Sequence, residues 1–436
     1  MSVQFGTDGI RGVAGTEITT DLAYRLGWAV AKVFSATTFV GYDTRESSPS
    51  LARAALHGLR DGGVDAVNLG VFTTPGVACI AEERSGVGVV ISASHNPYTD
   101  NGLKVFGLGG TKLDSTTEQL VAAALAEAPT PTESSSDVPV DHSALDQYLA
   151  RLTGRHAENA FAGLHIVVDC ANGAASQIAP QFFRSLGARV DVLHAQPDGR
   201  NINDHCGSTH PDDLQRAVVA SGADVGLAFD GDADRLVAVD ELGTRRDGDD
   251  LMVLVALDMH QQGLLGGSLV VTSMSNLGLR RAMSEAGIAI IETDVGDRNV
   301  LMALEDHDLP FGGEQSGHLI FRRELSTGDG IVSGRHVCEL ILRHGPLGTQ
   351  AHAAWSRAPQ TLVNIPRDRY DGEATYADID ATLQSHGLTH DDIRLVIRPS
   401  GTEPLVRVMV ESTNADFVSS LDAALRQRYG LAPAQN

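Results

Sequence analysis

Residues 224–235 read DVGLAFDGDADR, an apolar run that breaks into three aspartates at alternate positions, Asp230, Asp232 and Asp234. The apolar part has the length and composition of a buried strand, and the acidic part follows at once as a loop. Two other stretches make the same passage. VGVVIS (Val87–Ser92) runs into ASHNP, and LPFGGEQSGH (Leu309–His318) again ends in glycines and polar groups.

Working outward, strands and helices alternate around each loop. Ahead of the first, TTFVG (Thr37–Gly41) and DAVNLG (Asp65–Gly70) read as strands. Between them SPSLARAALHGLRDGG reads as a helix with Ser48 capping and Pro49 in its first turn, and a second helix falls near Pro75–Glu83. Ahead of the second loop, strands LHIVVDC and RVDVL begin at Leu164 and Arg189, with helices near Ala174–Leu186 and Asp212–Ala220. Ahead of the third, SLVVT begins at Ser268 and IAIIE at Ile288, with helices near Leu277–Ala286 and Arg298–Glu305. Such alternation argues for α/β layers with largely parallel strands, whose ligands bind beyond the strand ends. Three equivalent loops can then face one cleft. After about Ile365 the pattern changes to helix, strand RLVIRPSGTEP, strand LVRVMVE and a last helix from about Asn414, a smaller α+β module. APTPTESSSDVP (Ala128–Pro139) reads as an exposed connection.

The 436 residues leave room for several domains, and 42% hydrophobic with 20% charged residues suits a soluble globular protein. A net charge of −23 disfavours nucleic acid or an acidic membrane as partner. It leaves a phosphorylated substrate open, because screening over about 10 Å lets a few arginines dominate a pocket. Cys79, Cys170, Cys206 and Cys338 are scattered and form no CxxC pair, so neither a disulfide framework nor a structural zinc is expected. No apolar leader follows Met1 and no stretch is long enough to span a bilayer; a cytoplasmic protein is expected.

Alternate positions on an extended segment point the same way, so Asp230, Asp232 and Asp234 should converge. Without a cation they would repel one another, and magnesium acting on phosphate suits three carboxylates with open positions. An EF-hand accepts the spacing, but Arg235 stands where its sharp turn needs glycine and the flanks read as strands. A phosphatase with Asp230 as aspartyl nucleophile stays open, although it leaves the serine loop without a purpose. In ISASHNPYTDNGLK (Ile91–Lys104), Ser92, Ser94 and His95 look like half a hydrolase triad, yet no Gly-x-Ser-x-Gly elbow is present. A serine that carries a phosphoryl group needs a metal and a nearby acid or base instead, for which Lys104, His318 and Arg11 are candidates. GGEQSGH offers Glu314, Gln315, Ser316 and His318 to sugar hydroxyls. RPSGTEP offers Arg398, Ser400, Gly401 and Thr402 to a phosphate, with Arg407 on the next strand.

FGTDGIRG (Phe5–Gly12), SASHNP with NGLK, FDGDADR, GGEQSGH and RPSGTEP together resemble, in order, the signatures of the α-D-phosphohexomutase family. The resemblance covers nearly the whole chain. It implies three similar α/β domains with mixed sheets and a smaller C-terminal α+β domain around a central cleft. Their expected spans are 1–155 for the phosphoserine loop, 156–250 for magnesium, 251–365 for the sugar and 366–436 for phosphate. It implies that Ser94, rather than Ser92, is phosphorylated, and that Ser94, Asp230, Asp232 and Asp234 are the magnesium ligands. Glu314, Gln315 and Ser316 would read the sugar; Arg398, Ser400, Gly401, Thr402 and Arg407 would hold its distal phosphate. Arg11, Lys104 and His318 would serve proton transfer or phosphate stabilisation.

Gln315, DVGDRNV (Asp294–Val300) and STGDGIVSG (Ser326–Gly334) resemble the glucosamine branch, while Asn299 stands where an aromatic residue is common. Thr99 and Leu103 also vary the serine loop. The implied reaction converts glucosamine 6-phosphate to glucosamine 1-phosphate through phospho-Ser94 and glucosamine 1,6-bisphosphate. The implied partner is a phosphorylated amino sugar, handled by a monomer or homodimer. Phosphomannose or phosphoglucose chemistry with the same machinery is the neighbouring alternative.

Overall fold

The computed structural model describes residues 9–131, 137–154, 156–400 and 404–432. The first block comprises β1 (Ile10–Val13), α1 (Thr20–Phe34), β2 (Thr38–Tyr42), α2 (Ser48–Asp61) and β3 (Ala66–Val71). It continues with α3 (Thr74–Glu83), β4 (Val87–Ile91), β5 (Asp100–Phe106) and α4 (Ser115–Glu127), and α5 (Ser143–Thr153) leads out of it. The second holds β6 (His165–Asp169), α6 (Ala175–Ser185), β7 (Arg189–Leu193), α7 (Asp212–Ser221), β8 (Val225–Phe229), β9 (Leu236–Asp240) and β10 (Arg245–Arg246). The third opens with α8 (Gly248–Gln261), β11 (Ser268–Thr272), α9 (Leu277–Glu285), β12 (Ala289–Thr293) and α10 (Asp297–Asp306). It closes with β13 (Phe311–Gly313), β14 (Leu319–Phe321), α11 (Gly330–His344) and α12 (Leu347–Ala354). Last come β15 (Gln360–Pro366), α13 (Gly372–His386), β16 (Ile393–Pro399), β17 (Leu405–Ser412) and α14 (Ala415–Tyr429).

Three sheets repeat one plan: β3-β2-β4-β5-β1, then β7-β6-β8-β9-β10, then β12-β11-β13-β14. In each, the first three strands are parallel and the fourth is antiparallel. The largely parallel sheet suggested by the strand–helix alternation is therefore mixed, as the family resemblance implies. Between third and fourth strand lie only the short loops that carry SASHNP, DGDADR and EQSGH. A parallel neighbour would need a crossover of about a dozen residues, so these strands return antiparallel. The three candidate loops are thus one topological connection in three copies.

What fixes the loops relative to one another is a shared core. Phe72 and Cys79 from the first block, Phe182 and Phe229 from the second, and Phe311 and Val337 from the third lie in one hydrophobic cluster. Each fully buried side chain of that size contributes about 1.5–3 kcal/mol. The fourth sheet, β15-β17-β16, is wholly antiparallel and packs Val363, Val408 and Val410 against Phe417 and Leu421 of α14. β15 crosses the 365/366 boundary expected from the sequence, and by its pairing with β17 it belongs to this last module. Asn276 Nδ2 donates to Glu411 Oε1 at 2.9 Å and Arg394 Nη1 to Ser275 O at 3.2 Å, pinning that module to the third block.

One local expectation is corrected. Ser47, not Ser48, precedes α2; the Ser48 hydroxyl turns inward and donates to Asp43 Oδ1 at 2.8 Å. A buried carboxylate claims the hydroxyl that the sequence assigned to a cap.

Candidate active site

Ser94 sits inside the Ala93–Asn96 turn after β4 with φ at 54°, a left-handed conformation that few non-glycine residues adopt. Its hydroxyl donates to Asp230 Oδ2 at 2.5 Å, across from the first block to the second. Asp230, Asp232 and Asp234 present carboxylate oxygens within 4.8 Å of one another, all buried. They converge through a turn, with Ala233 at φ 59°, and not by the strand alternation expected from their spacing. Gly231 is what lets the two loops touch: a Cβ there would lie 2.5 Å from the Ser94 carbonyl oxygen.

Burial, with Asp234 and Asp232 beside it, pushes Asp230 well above the usual carboxylate range. Burial also acts upward on Asp234, but Lys104, His318 and Arg235 outweigh it and hold that carboxyl well below the range. Asp232 Oδ1 and Asp234 Oδ1 are buried and accept no hydrogen bond among the described residues. Oxygens left bare at the focus of three carboxylates suit a hard divalent cation.

Cations close the site from the other side. Lys104 Nζ lies 2.8 Å from Asp232 Oδ2 and 3.6 Å from Asp234 Oδ2. Thr74, at the first turn of α3, donates to that same Asp232 oxygen at 2.6 Å. His318 stands between Asp234 and Asp297, 3.8 Å from each. Burial alone would lower His318, yet the two carboxylates raise it above its ordinary value. His95 goes the other way, to about 4, through burial and the cations Arg235 and Arg11. Arg11, on β1 opposite Gly102, flanks the serine loop.

The third loop seats directly on the second: Leu236 N donates to Gly317 O at 3.0 Å and Gly330 N to Ala233 O at 2.9 Å. Glu314 Oε1 takes the Gly296 N–H at 3.0 Å, and Ser316 lies 3.4 Å from Glu314 Oε2. Gln315, half-buried on the same loop, is tied at its back. Its Nε2 donates at 2.9 Å to Asp249, a buried carboxylate behind the loop whose pKa burial and Asp247 raise to about 7. Arg398 and Arg407 pair directly across β16 and β17, and burial together with the Arg407 charge lowers Arg398. Ser400 ends the described part of that loop; Gly401 and Thr402 lie outside the described residues.

Four family models match in order. They are "Phosphoglucomutase/phosphomannomutase, alpha/beta/alpha domain I" over residues 2–131, domain II over 146–243, domain III over 247–358 and the C-terminal domain over 366–428. The chain belongs to this family. Among curated relatives, the phosphoglucosamine mutase of Rhodococcus opacus is 45% identical over 435 residues, covering 97% of this chain and 98% of its own. That of Desulforudis audaxviator is 46% identical over 439 residues, covering 97% and 96%. Among solved structures, a phosphoglucomutase/phosphomannomutase family protein from Burkholderia thailandensis superposes with a TM-score of 0.80 at 26% identity, over 98% of this chain and 96% of that one. The N-acetylphosphoglucosamine mutase of Aspergillus fumigatus, solved with GlcNAc-6P and magnesium, shares the fold at 19% identity and a TM-score of 0.66, over 98% and 95%.

In this phosphohexomutase the sequence reading missed several residues. Arg235 was in view within DGDADR but unassigned; Thr74 carries no motif at all. A third group lies one layer deeper. His194 bridges Asp169 at 3.1 Å and Asp213 at 3.3 Å, under the loop that carries Asn203 to the Ser94 carbonyl. The neighbouring Asp169 carboxylate, with Asp213, raises His194 despite its partial burial. A folded-state pKa above the unfolded one gives stability that is fully present below the ordinary imidazole value, near pH 6.5. That stability fades as pH climbs through the raised value. Denaturant unfolding of wild type and His194→Gln should therefore differ at pH 6 and converge toward pH 9; a gap that widens with pH contradicts the bridge.

Proposed function

We propose that the chain interconverts glucosamine 6-phosphate and glucosamine 1-phosphate in the cytoplasm, in the synthesis of UDP-N-acetylglucosamine and cell-wall precursors. The observation that carries the chemistry is the 2.5 Å contact of Ser94 Oγ with Asp230, which brings a serine from one block into the carboxylate cluster of the next. The same contact gives the serine loop the purpose that an aspartyl phosphatase would deny it. The amino sugar is supported by relatives of 45–46% identity over nearly the whole chain, each called phosphoglucosamine mutase.

In this reading phospho-Ser94 gives its phosphoryl group to O1 of glucosamine 6-phosphate, and the O1 proton passes to a base in the cleft. The resulting glucosamine 1,6-bisphosphate turns round, its 6-phosphoryl group returns to Ser94 Oγ, and O6 regains a proton. Asp230, Asp232 and Asp234, with the serine phosphate, would hold magnesium. When bound, that ion supplies positive charge to the oxygens of the group in transfer. Lys104 and His318 keep the buried carboxylates neutralised and stand beside the reacting oxygens for proton handling; Arg11 adds charge from β1. Glu314, Gln315 and Ser316 read sugar hydroxyls, and Gln315 also holds their loop from behind through Asp249. Arg398 and Arg407, with Ser400, Gly401 and Thr402, receive the phosphate that is not reacting, whichever end of the sugar it occupies.

A coupled assay with magnesium and a trace of bisphosphate tests the whole reading. Glucosamine 6-phosphate should give a kcat/KM at least about tenfold above glucose and mannose 6-phosphates, the scale of one well-placed polar contact. Equal constants for the three sugars would reject the glucosamine assignment and leave the mutase chemistry standing.

A further inference from the structure

We propose that Arg45, held by Asp43, is the positioning residue that sets Ser94 for phosphoryl transfer. This deepens the reading of Ser94 as carrier and rests on it. Arg45 is 1% exposed, in a stretch, YDTRES, that looks like a solvated turn. Its guanidinium gathers four backbone carbonyls of the serine loop. Nη2 donates to Ser94 O and Asn96 O at 2.9 Å each, and Nη1 donates to Asp100 O at 3.1 Å and to Pro97 O. Nε donates to Asp43 Oδ2 at 2.8 Å, so the buried charge is matched.

The opposite face of the same residue is fixed from the same carboxylate. Ser92 Oγ donates to Asp43 Oδ2 at 2.6 Å and accepts the Ser94 N–H at 2.9 Å. The peptide groups on both sides of the Ser94 Cα are therefore tied to one ion pair, which accounts for a left-handed serine without a glycine. Ser92, the serine that does not carry phosphate, becomes the relay that aims the one that does. A planar fork with five N–H donors can span four carbonyls and a carboxylate; an ammonium with three donors cannot. Every partner of the Arg45 side chain other than Asp43 lies in residues 94–100, and Ser94 is the reactive group there.

Arg45→Lys keeps the charge and removes the fork. The fold should survive by circular dichroism and thermal melting, with KM for glucosamine 6-phosphate within about twofold of wild type. The turnover number should fall about 100-fold, the cost of displacing a reacting group by about 1 Å. Mass spectrometry should show phosphate from glucose 1,6-bisphosphate reaching Ser94 correspondingly more slowly. A folded Arg45→Lys enzyme with turnover within about threefold of wild type overturns the proposal. If that variant does not fold, Ser92→Ala decides: it removes the N–H anchor and its link to Asp43 while leaving Arg45 in place, and should lower turnover about tenfold with KM unchanged, roughly the worth of one charge-linked hydrogen bond. Unchanged turnover there also overturns it. Failure of wild-type Ser94 itself to take up phosphate would instead strike the carrier reading beneath.

Discussion

Ser94→Ala should fold normally and lose mutase turnover by about 10⁴-fold or more, the scale of removing the group on which a covalent step depends. The hydroxyl that is lost donates to Asp230 at 2.5 Å. Asp230 is already pushed upward by burial and by Asp234 and Asp232, and the serine is a force in the other direction. Its removal leaves Asp230 more ready to hold a proton, so no unpaired buried charge is created and the fold is spared. Backbone strain gives a control. At φ 54° an alanine keeps the strain of the left-handed region, whereas Ser94→Gly relieves about 1 kcal/mol of it. The glycine variant should be as inactive as the alanine one while melting no lower than wild type. Coupled assays and melting curves on both variants read this directly. Turnover that survives either change would move the chemistry to Asp230 and revive the phosphatase.

The order of elements was legible because each strand is a short apolar run bounded by turn residues, as in Val225–Phe229, and each helix has a recognisable start. Strand direction was not. A strand buried on both faces, such as β4 or β8, has the same composition beside a parallel or an antiparallel neighbour. The loops were legible as chemistry because Ser94, the aspartates and the arginines sit in dense local patterns. Arg45 was hidden because its role depends on carbonyls 49 to 55 residues away. The anchoring of Gln315 was hidden for the same reason: its partner, Asp249, lies 66 residues upstream. A local stretch records which groups are available, and only the packed fold records which way each one turns.

Two neighbouring aspartates should answer the same isosteric change with opposite signs. Asp230 has a folded pKa above its ordinary value, so near neutral pH its charge, or the proton it must take up, weighs against the metal-free fold. Asp230→Asn keeps the shape, still accepts from Ser94 and removes that cost; the metal-free variant should melt above the metal-free wild type. Asp234 has a folded pKa below its ordinary value, set against burial by Lys104, His318 and Arg235. A depressed carboxyl contributes stability above its unfolded pKa, so Asp234→Asn should melt lower. Magnesium reverses the balance at the first site. Wild type at 100 times the dissociation constant should gain about 2.7 kcal/mol from the bound ion, and a melting shift of several degrees. The Asp230→Asn protein should show almost none, with activity lower by about 10³-fold, since charge on the transferred group is no longer met. Calorimetric scans of the three proteins with and without magnesium separate these terms. Shifts of equal sign in the two metal-free variants would refute the charge assignment, and a full magnesium response in Asp230→Asn would remove Asp230 from the metal site.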